Sequence, residues 1–138
     1  MIRFFIPWTV KPKGNSKQIV KRGKFTKLVD PKRITDNASA LILLAGQHRP
    51  LQPLEGPLVA TYKIQFAWRK SDSKRTRSLG EVPHDVRPDL GNLCKQLDDA
   101  LEKAGFFLDD AQIASYGDTK KVWCDTPGVL VTIYPIGL

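Results

Sequence analysis

Apolar positions along the chain change period several times, and each change marks an element. Ile2 to Ile6 is a short apolar run closed by Pro7, which predicts a strand, and Trp8 to Asp30 follows as a long basic connection containing Pro, Gly, Asn and Ser. Ile34, Ala38, Leu41, Ile42 and Ala45 recur at three- and four-residue steps, so Pro31 to Ala45 reads as a helix that Gly46 stops. From Ala60 to Trp68 the period falls to two, with Ala60, Tyr62, Ile64, Phe66 and Trp68 on one face and Thr61, Lys63 and Gln65 on the other. A second basic connection, Arg69 to Arg87, is expected to project from the sheet. After Pro88, Leu90, Leu93, Cys94, Leu97, Ala100, Leu101 and Ala104 form one helical stripe that Gly105 ends. Gln112 to Cys124 and Val129 to Tyr134 read as strands joined by the turn Asp125-Thr126-Pro127-Gly128. The expected class is α+β: a mixed β-sheet with two main helices packed on it, in the order β-α-β-α-β-β, as one domain over residues 1–138.

Composition adds limits. A chain of 138 residues with 41% hydrophobic content can supply a core without disulfides, and Cys94 and Cys124 are read as ordinary reduced thiols, since two cysteines make neither a disulfide framework nor a zinc site. No apolar run approaches the ~20 residues that cross a bilayer, and Met1-Ile2-Arg3 leads into a strand rather than a signal peptide. A soluble, cytoplasmic protein with no membrane partner is expected. Charge is uneven: residues 1–80 carry a net +13 and residues 81–138 a net −5, within a total of +8. A basic part that attracts polyanions, joined to an acidic part that holds cations, suits an enzyme acting on nucleic acid, although a solvated basic surface gives the same count.

Candidate chemistry lies on and just after the second helix. Opposite its apolar stripe, Asp89, Asn92, Gln96 and Asp99 follow at helical steps with Lys95 beside them, and Asp109 and Asp110 come just past the helix end. Gly105 to Leu108 must turn the chain back, so a carboxylate from the next strand would face the helix start if that strand runs antiparallel to the helix. Hard Mg²⁺ prefers oxygen ligands and keeps several waters, so two or three carboxylates suffice. The same residues have plainer readings: Asp89 as a helix N-cap, Asp109-Asp110 as a solvated turn, and Lys95 as a surface partner of Asp99 four residues on.

The run Arg87-Pro88-Asp89-Leu90-Gly91-Asn92-Leu93, then Lys95, Asp98-Asp99-Ala100-Leu101, Lys103-Ala104-Gly105-Phe106 and Leu108-Asp109-Asp110-Ala111-Gln112-Ile113 resembles, without gaps, the signature of the RusA family of Holliday-junction resolvases. It covers about a quarter of the chain. Pro7-Trp8 and Pro12-Lys13-Gly14-Asn15 resemble the family's opening segment more loosely. The resemblance implies a RusA-like, dimeric fold and an endodeoxyribonuclease that binds four-way junction DNA as a homodimer and nicks two opposed strands with Mg²⁺. Carried over residue by residue, it makes Asp89 and Asp110 the metal-binding acids and Lys95 the essential lysine, with Asn92 and Asp109 in supporting roles. The family's Asp-x-Asp-Asn reads Asp89-Leu90-Gly91-Asn92 here, so Gly91 stands where a third acid is expected, and impaired catalysis follows from that loss. Asp109 or Asp85 are the alternatives for completing the site.

Phosphate contacts are expected from Lys11, Lys13, Lys17, Lys21, Arg22 and Lys24 in the first loop and from Lys70, Lys74, Arg75 and Arg77 in the second. Trp8, Phe5 and Trp68 are candidates for stacking on unpaired bases, with core packing as the alternative. His48 and His84 lie in Pro-containing connections with no nucleophile beside them and are read as surface residues. Two further functions compete with the nuclease: a non-catalytic junction-binding protein and, favoured by charge alone, a basic RNA-binding module.

Overall fold

The computed structural model describes the backbone of residues 1–7, 18–22, 25–29 and 32–137 and the side chains of residues 1–7 and 38–137. Along the chain run β1 (Ile2–Ile6), β2 (Gln18–Arg22), β3 (Phe25–Val29), α1 (Lys32–Gly46), β4 (Leu58–Ala67), α2 (Lys74–Arg77), β5 (Glu81–Pro83), α3 (Leu90–Ala104), β6 (Ile113–Tyr116), β7 (Lys120–Cys124) and β8 (Gly128–Pro135), with a 3₁₀ turn over Asp110–Gln112. The class is α+β, with a mixed open sheet and, among the described residues, three helices.

Strict alternation makes β4 the spine. Leu58, Ala60, Tyr62 and Ile64 point to one face and are buried. β8 lies antiparallel on one side of β4, while β6 and β7 lie parallel on the other, and β1 and β5 close the edges in the order β1-β8-β4-β7-β5. Val129, Val131 and Ile133 of β8 and Phe4 and Ile6 of β1 continue the buried face. Onto it pack Leu41 and Ala45 of α1 and Leu93, Leu97, Leu101 and Ala104 of α3, in one apolar cluster with Phe106 and Phe107. Each fully buried leucine contributes on the order of 2 kcal/mol. Gly105, at φ +96°, ends α3 as its stripe predicts: its N–H and that of Phe106 donate to the Glu102 and Leu101 carbonyls. Gly128 is required where β8 begins, at φ +153°, because a Cβ there would overlap the Ile6 carbonyl and the Phe5 ring.

Several expectations need correction. The connection Trp8 to Asp30 contains β2 and β3, which pair as an antiparallel hairpin. Arg69 to Arg87 is not simply a projecting loop, since it holds the short α2 and the edge strand β5 on β7. Gln112 to Cys124 is two strands rather than one, interrupted at Gly117-Asp118-Thr119. Asp125 to Gly128 joins the two flanking strands as read, but they do not pair, because β4 lies between β7 and β8. Ala38 is exposed although the α1 stripe includes it. His48 is exposed as read, but His84 is buried at 5% exposure between Phe66 and Trp123, with ring centroids 4.5 and 4.0 Å away. Among the described residues, no helix is long and apolar enough to cross a membrane.

One polar residue sits inside the α3 stripe. Asp98, four residues past Cys94 and three before Leu101, is only 7% exposed. Its carboxylate accepts a 2.7 Å hydrogen bond from the Tyr62 hydroxyl of β4 and another from the Tyr116 hydroxyl of β6. Burial raises the Asp98 carboxyl above the ordinary Asp range, and the nearby Asp110 charge adds to this, although both tyrosine hydroxyls favour the ionised form. Burial together with the Asp98 charge pushes the neighbouring Cys94 thiol up to about 11.

A carboxyl whose pKa is raised by folding stabilises the fold in its protonated form. That contribution is complete below the unfolded pKa and is lost as pH rises through the folded value. Asp98→Asn should therefore gain stability relative to the parent as pH rises from 4 towards 7. Urea midpoints of both proteins across that range check this, and a pH-independent difference would show that Asp98 does not titrate as its surroundings require.

Candidate active site

Helix α3 carries most of the candidate groups, and its buried stripe fixes which way they face. Asp89 occupies the N-cap position with extended backbone (φ −65°, ψ 140°), yet its side chain makes no capping hydrogen bond. The N-cap reading thus explains its place but not its carboxylate, which is exposed. Lys95 is also exposed, and Asp99 pairs instead with Lys103 at 3.0 Å, so the expected Lys95–Asp99 pair does not form. Asn92 is half-buried on the first turn.

The two acids after the helix divide their work. Asp109 caps the 3₁₀ turn: its carboxylate accepts from the Ala111 N–H at 2.9 Å, while Gln112 Oε1 accepts from the Leu108 and Asp109 N–H groups. Gln112 Nε2 then ties the turn to the Leu54 and Gly56 carbonyls at 3.0 and 3.1 Å. Asp110 is held only through its backbone, whose N–H donates to Glu102 Oε1 at 2.7 Å. Its exposed carboxylate meets no described partner. Of the two adjacent acids, Asp110 is therefore the one free to bind something else.

Residues Gly91, Lys95, Asp98 and Glu102 succeed one another at steps of four, three and four, and so share one side of α3. Asp98 on that side meets Tyr116, and Glu102 meets the Asp110 amide. Ligand oxygens of Glu102, Asp109 and Asp110 lie within 4.8 Å of one another. Sequence reasoning missed both Glu102 and Asp98. For Asp98, an acid inside an apolar helical stripe was the available signal; for Glu102, the four-residue step from Asp98 was.

The chain does not bring Asp110 to the helix start. Glu102, which holds its amide, lies thirteen residues past Asp89, roughly 20 Å along the helix axis. The reach of two aspartate side chains does not close that gap, so Asp89 and Asp110 sit towards opposite ends of α3 in one subunit. Asp85 is exposed in the segment before the helix.

That segment is itself anchored. The Lys121 ammonium of β7 donates to the Pro88 carbonyl at 2.7 Å and to the Val86 carbonyl, directly before Asp89. Alongside, His84 stacks on Trp123, and the Arg69 guanidinium lies 4.6 Å over the Trp123 ring. Burial, then the Lys121 charge, lowers the His84 pKa, so the imidazole stays neutral in the stack.

Among the basic candidates, Lys70, Lys74 and Arg75 are exposed, whereas Arg77 is committed to its own loop, donating to the Asp72 and Arg69 carbonyls at 3.1 and 2.9 Å. Lys21 and Arg22 fall on β2, opposite Thr26 and Phe25. Lys11, Lys13, Lys17, Lys24 and Trp8 lie outside the described residues. Trp68 donates its indole N–H to Asp125 at 2.7 Å, and Phe5 packs where β8 begins.

The profile of the family described as Endodeoxyribonuclease RusA matches residues 7–134. Proteins named crossover junction endodeoxyribonuclease RusA from Escherichia coli (strain K12) and Shigella sonnei (strain Ss046) are each 57% identical to the chain over 35 residues, which is 25% of this chain and 29% of each relative. The aligned part thus spans less than a third of the length of these relatives.

Position 91 is open to substitution: Gly91 is exposed, and a Cβ there meets nothing within 4 Å. Gly91→Asp should leave the fold unchanged and raise its stability by up to about 1 kcal/mol, because a helical glycine is replaced and an acid in the first turn favours the helix dipole. Thermal unfolding followed by circular dichroism checks this; a loss of stability would mean that repulsion from Asp89 outweighs both gains.

Proposed function

Because the chain belongs to the RusA endodeoxyribonuclease family, we propose that residues 1–138 act as one nuclease domain that resolves four-way DNA junctions by Mg²⁺-dependent phosphodiester hydrolysis, with Asp89, Lys95 and Asp110 as its catalytic groups. The observation that carries this reading is that these three side chains, the ones the motif selects, are exposed and engaged by no described residue, while their neighbours Asp99 and Asp109 are occupied in local structure.

The donor set suits a hard divalent cation. Asp110 offers an exposed carboxylate, with the oxygens of Glu102 and Asp109 beside it. When bound, Mg²⁺ would supply an acidified water and charge stabilisation at the scissile phosphate. The protein's part is to hold Asp110 through the capped turn and Asp89 through the Lys121-anchored segment, and to present the Lys95 ammonium to the charge developing on the phosphate. Asn92, one turn from Asp89, would orient a water.

Separation of Asp89 from Asp110 along α3 favours a homodimer with shared sites. Two copies related by a two-fold axis, with their α3 helices antiparallel, would set Asp89 of one protomer near Asp110 of its partner. The substrate has matching two-fold symmetry. The exposed Lys70, Lys74 and Arg75 would contact phosphate, together with Lys11, Lys13, Lys17, Lys21 and Arg22. Arg77 would act indirectly, by shaping its loop.

Gly91 leaves the site short of an acid, so the parent chain should bind junctions yet nick them slowly. Restoring the acid with Gly91→Asp should raise Mg²⁺-dependent nicking on the order of 10²-fold. Equal rates would overturn the three-acid site. In that background, Asp89→Asn and Asp110→Asn should each be inactive alone, but mixed dimers of the two should recover nicking of one strand, because one of their two shared sites is intact. No recovery would place both acids in one subunit.

Binding should weaken steeply with salt, and Lys74→Ala/Arg75→Ala should lower affinity for every DNA tested, as phosphate contacts position the protein without specifying sequence. Competition among junction, linear duplex and structured RNA decides between this reading and an RNA-binding module.

A further inference from the structure

The proposed mechanism leaves one built feature near Asp110 unused. Tyr116 ends β6, six residues past Asp110, and at 45% exposure it is the most exposed of the described Phe, Tyr and Trp residues. Its hydroxyl is not free. It donates to Asp98, a carboxylate buried in the α3 face, which Tyr62 holds from the other side. The result is a phenol anchored at its tip to the core, its ring tilted against that of Tyr62 with centroids 6.1 Å apart and partly open to solvent.

Such an arrangement restricts what the side chain can offer. With the hydroxyl tied inward it is a poor phosphate ligand, and the contact left to it is the ring. Fixing that ring in advance lowers the entropy lost when a flat partner stacks on it. Asp110 lies close enough for its charge to act on both Tyr116 and Asp98, and the turn that carries it leads directly into β6. A base displaced near the cut phosphate would meet the ring.

Resting on the junction-resolvase reading above, we propose that Tyr116 is a stacking platform for an unpaired base at the branch point, and that Asp98 is the positioning residue that fixes its ring. Stacking tolerates every base, so it distinguishes a branched structure from continuous duplex without reading sequence. Continuous duplex offers no unstacked base and gains nothing from the ring.

The test uses the full chain with two probes that carry 5-iodouracil: a four-way junction with the label at the branch point, and an unpaired oligonucleotide. Irradiation should crosslink both to the peptide containing Tyr116; crosslinks only elsewhere would overturn the proposal. Tyr116→Leu should lose roughly tenfold in junction affinity and little in affinity for linear duplex, with native circular dichroism. Tyr116→Phe, which keeps the ring, should retain most of the junction affinity, and Asp98→Asn should fall between the two. Unchanged junction binding by Tyr116→Leu would overturn the stacking role, as would an equal loss on duplex or a fall in mass by light scattering showing that the ring serves subunit pairing. If the parent shows no preference for junctions yet crosslinks the unpaired oligonucleotide at Tyr116, the resolvase reading falls and the stacking role stands.

Discussion

Docking of α3 on β4 is the constraint from which the rest of the site follows. Leu93, Leu97 and Leu101 are fully buried, and Leu58, Ala60, Tyr62 and Ile64 form the surface that receives them in one cluster. A helix held so firmly cannot rotate, which decides that Asp98 meets Tyr116 at the end of β6 and that Glu102 meets the turn carrying Asp110, while Gly91 and Lys95 on the same side stay exposed. Asp98 makes the docking specific as well as strong. Apolar packing alone tolerates small rotations and slides of a helix, but a carboxylate that must meet Tyr62 and Tyr116 together has one acceptable position, since leaving it unpaired in the core costs several kcal/mol. The same two bonds fix β6, and β6 fixes the turn that carries Asp110.

The α3 stripe, the Gly105 stop and the alternation in β4 were legible because each is a local period repeated over many residues. Much of the rest depends on pairings between distant segments. Nothing in Gln112 to Cys124 alone reveals that Gly117-Asp118-Thr119 breaks the strand, because the break reflects how the segment runs along β4 on both sides of Thr61. The turn sequence at Asp125 to Gly128 was read correctly as a turn, yet local turn chemistry cannot tell which strand lies between the two it joins. His84 looked like a loop residue because the partners that bury it, Phe66 and Trp123, come from β4 and β7.

For the candidate site, residue types were legible and their spatial grouping was not. Asp89, Lys95 and Asp110 stand out in sequence, and their side chains engage no described residue. Their separation followed from two facts no spacing contains: the chain after Gly105 folds back beside the C-terminal half of α3, and Glu102 captures the Asp110 amide there. Of the adjacent pair Asp109-Asp110, the one that caps was also hidden, because either acid can occupy an N-cap position and only the phase of the 3₁₀ turn decides between them. Lys121, which grips Pro88, just before Asp89, from 33 residues further along the chain, carries no sequence signal beyond a lysine in a strand.

On the proposed reading, an acid at position 91 would trade binding against cutting. Around Asp110 the fold already gathers Glu102, Asp109 and the buried Asp98, so a phosphate approaching without a cation meets several negative groups in a partly shielded setting, where each repulsion is stronger than in bulk water. In one subunit position 91 lies eleven residues before Glu102, roughly 17 Å along α3, so on the shared-site proposal an acid there would act on the cluster of a partner protomer, strengthening cation binding and adding to that repulsion. Glycine there removes both effects while disturbing no packing, because the position is open to solvent. The basic segments proposed to attract DNA lie elsewhere in the sequence, in residues 1–80, so their pull on phosphate would be left intact. On the proposed reading, the lack of an acid at 91 would shift the balance from cleavage towards occupancy, while the helix, the capped turn and the anchored segment before Asp89 keep a shape into which an acid would fit.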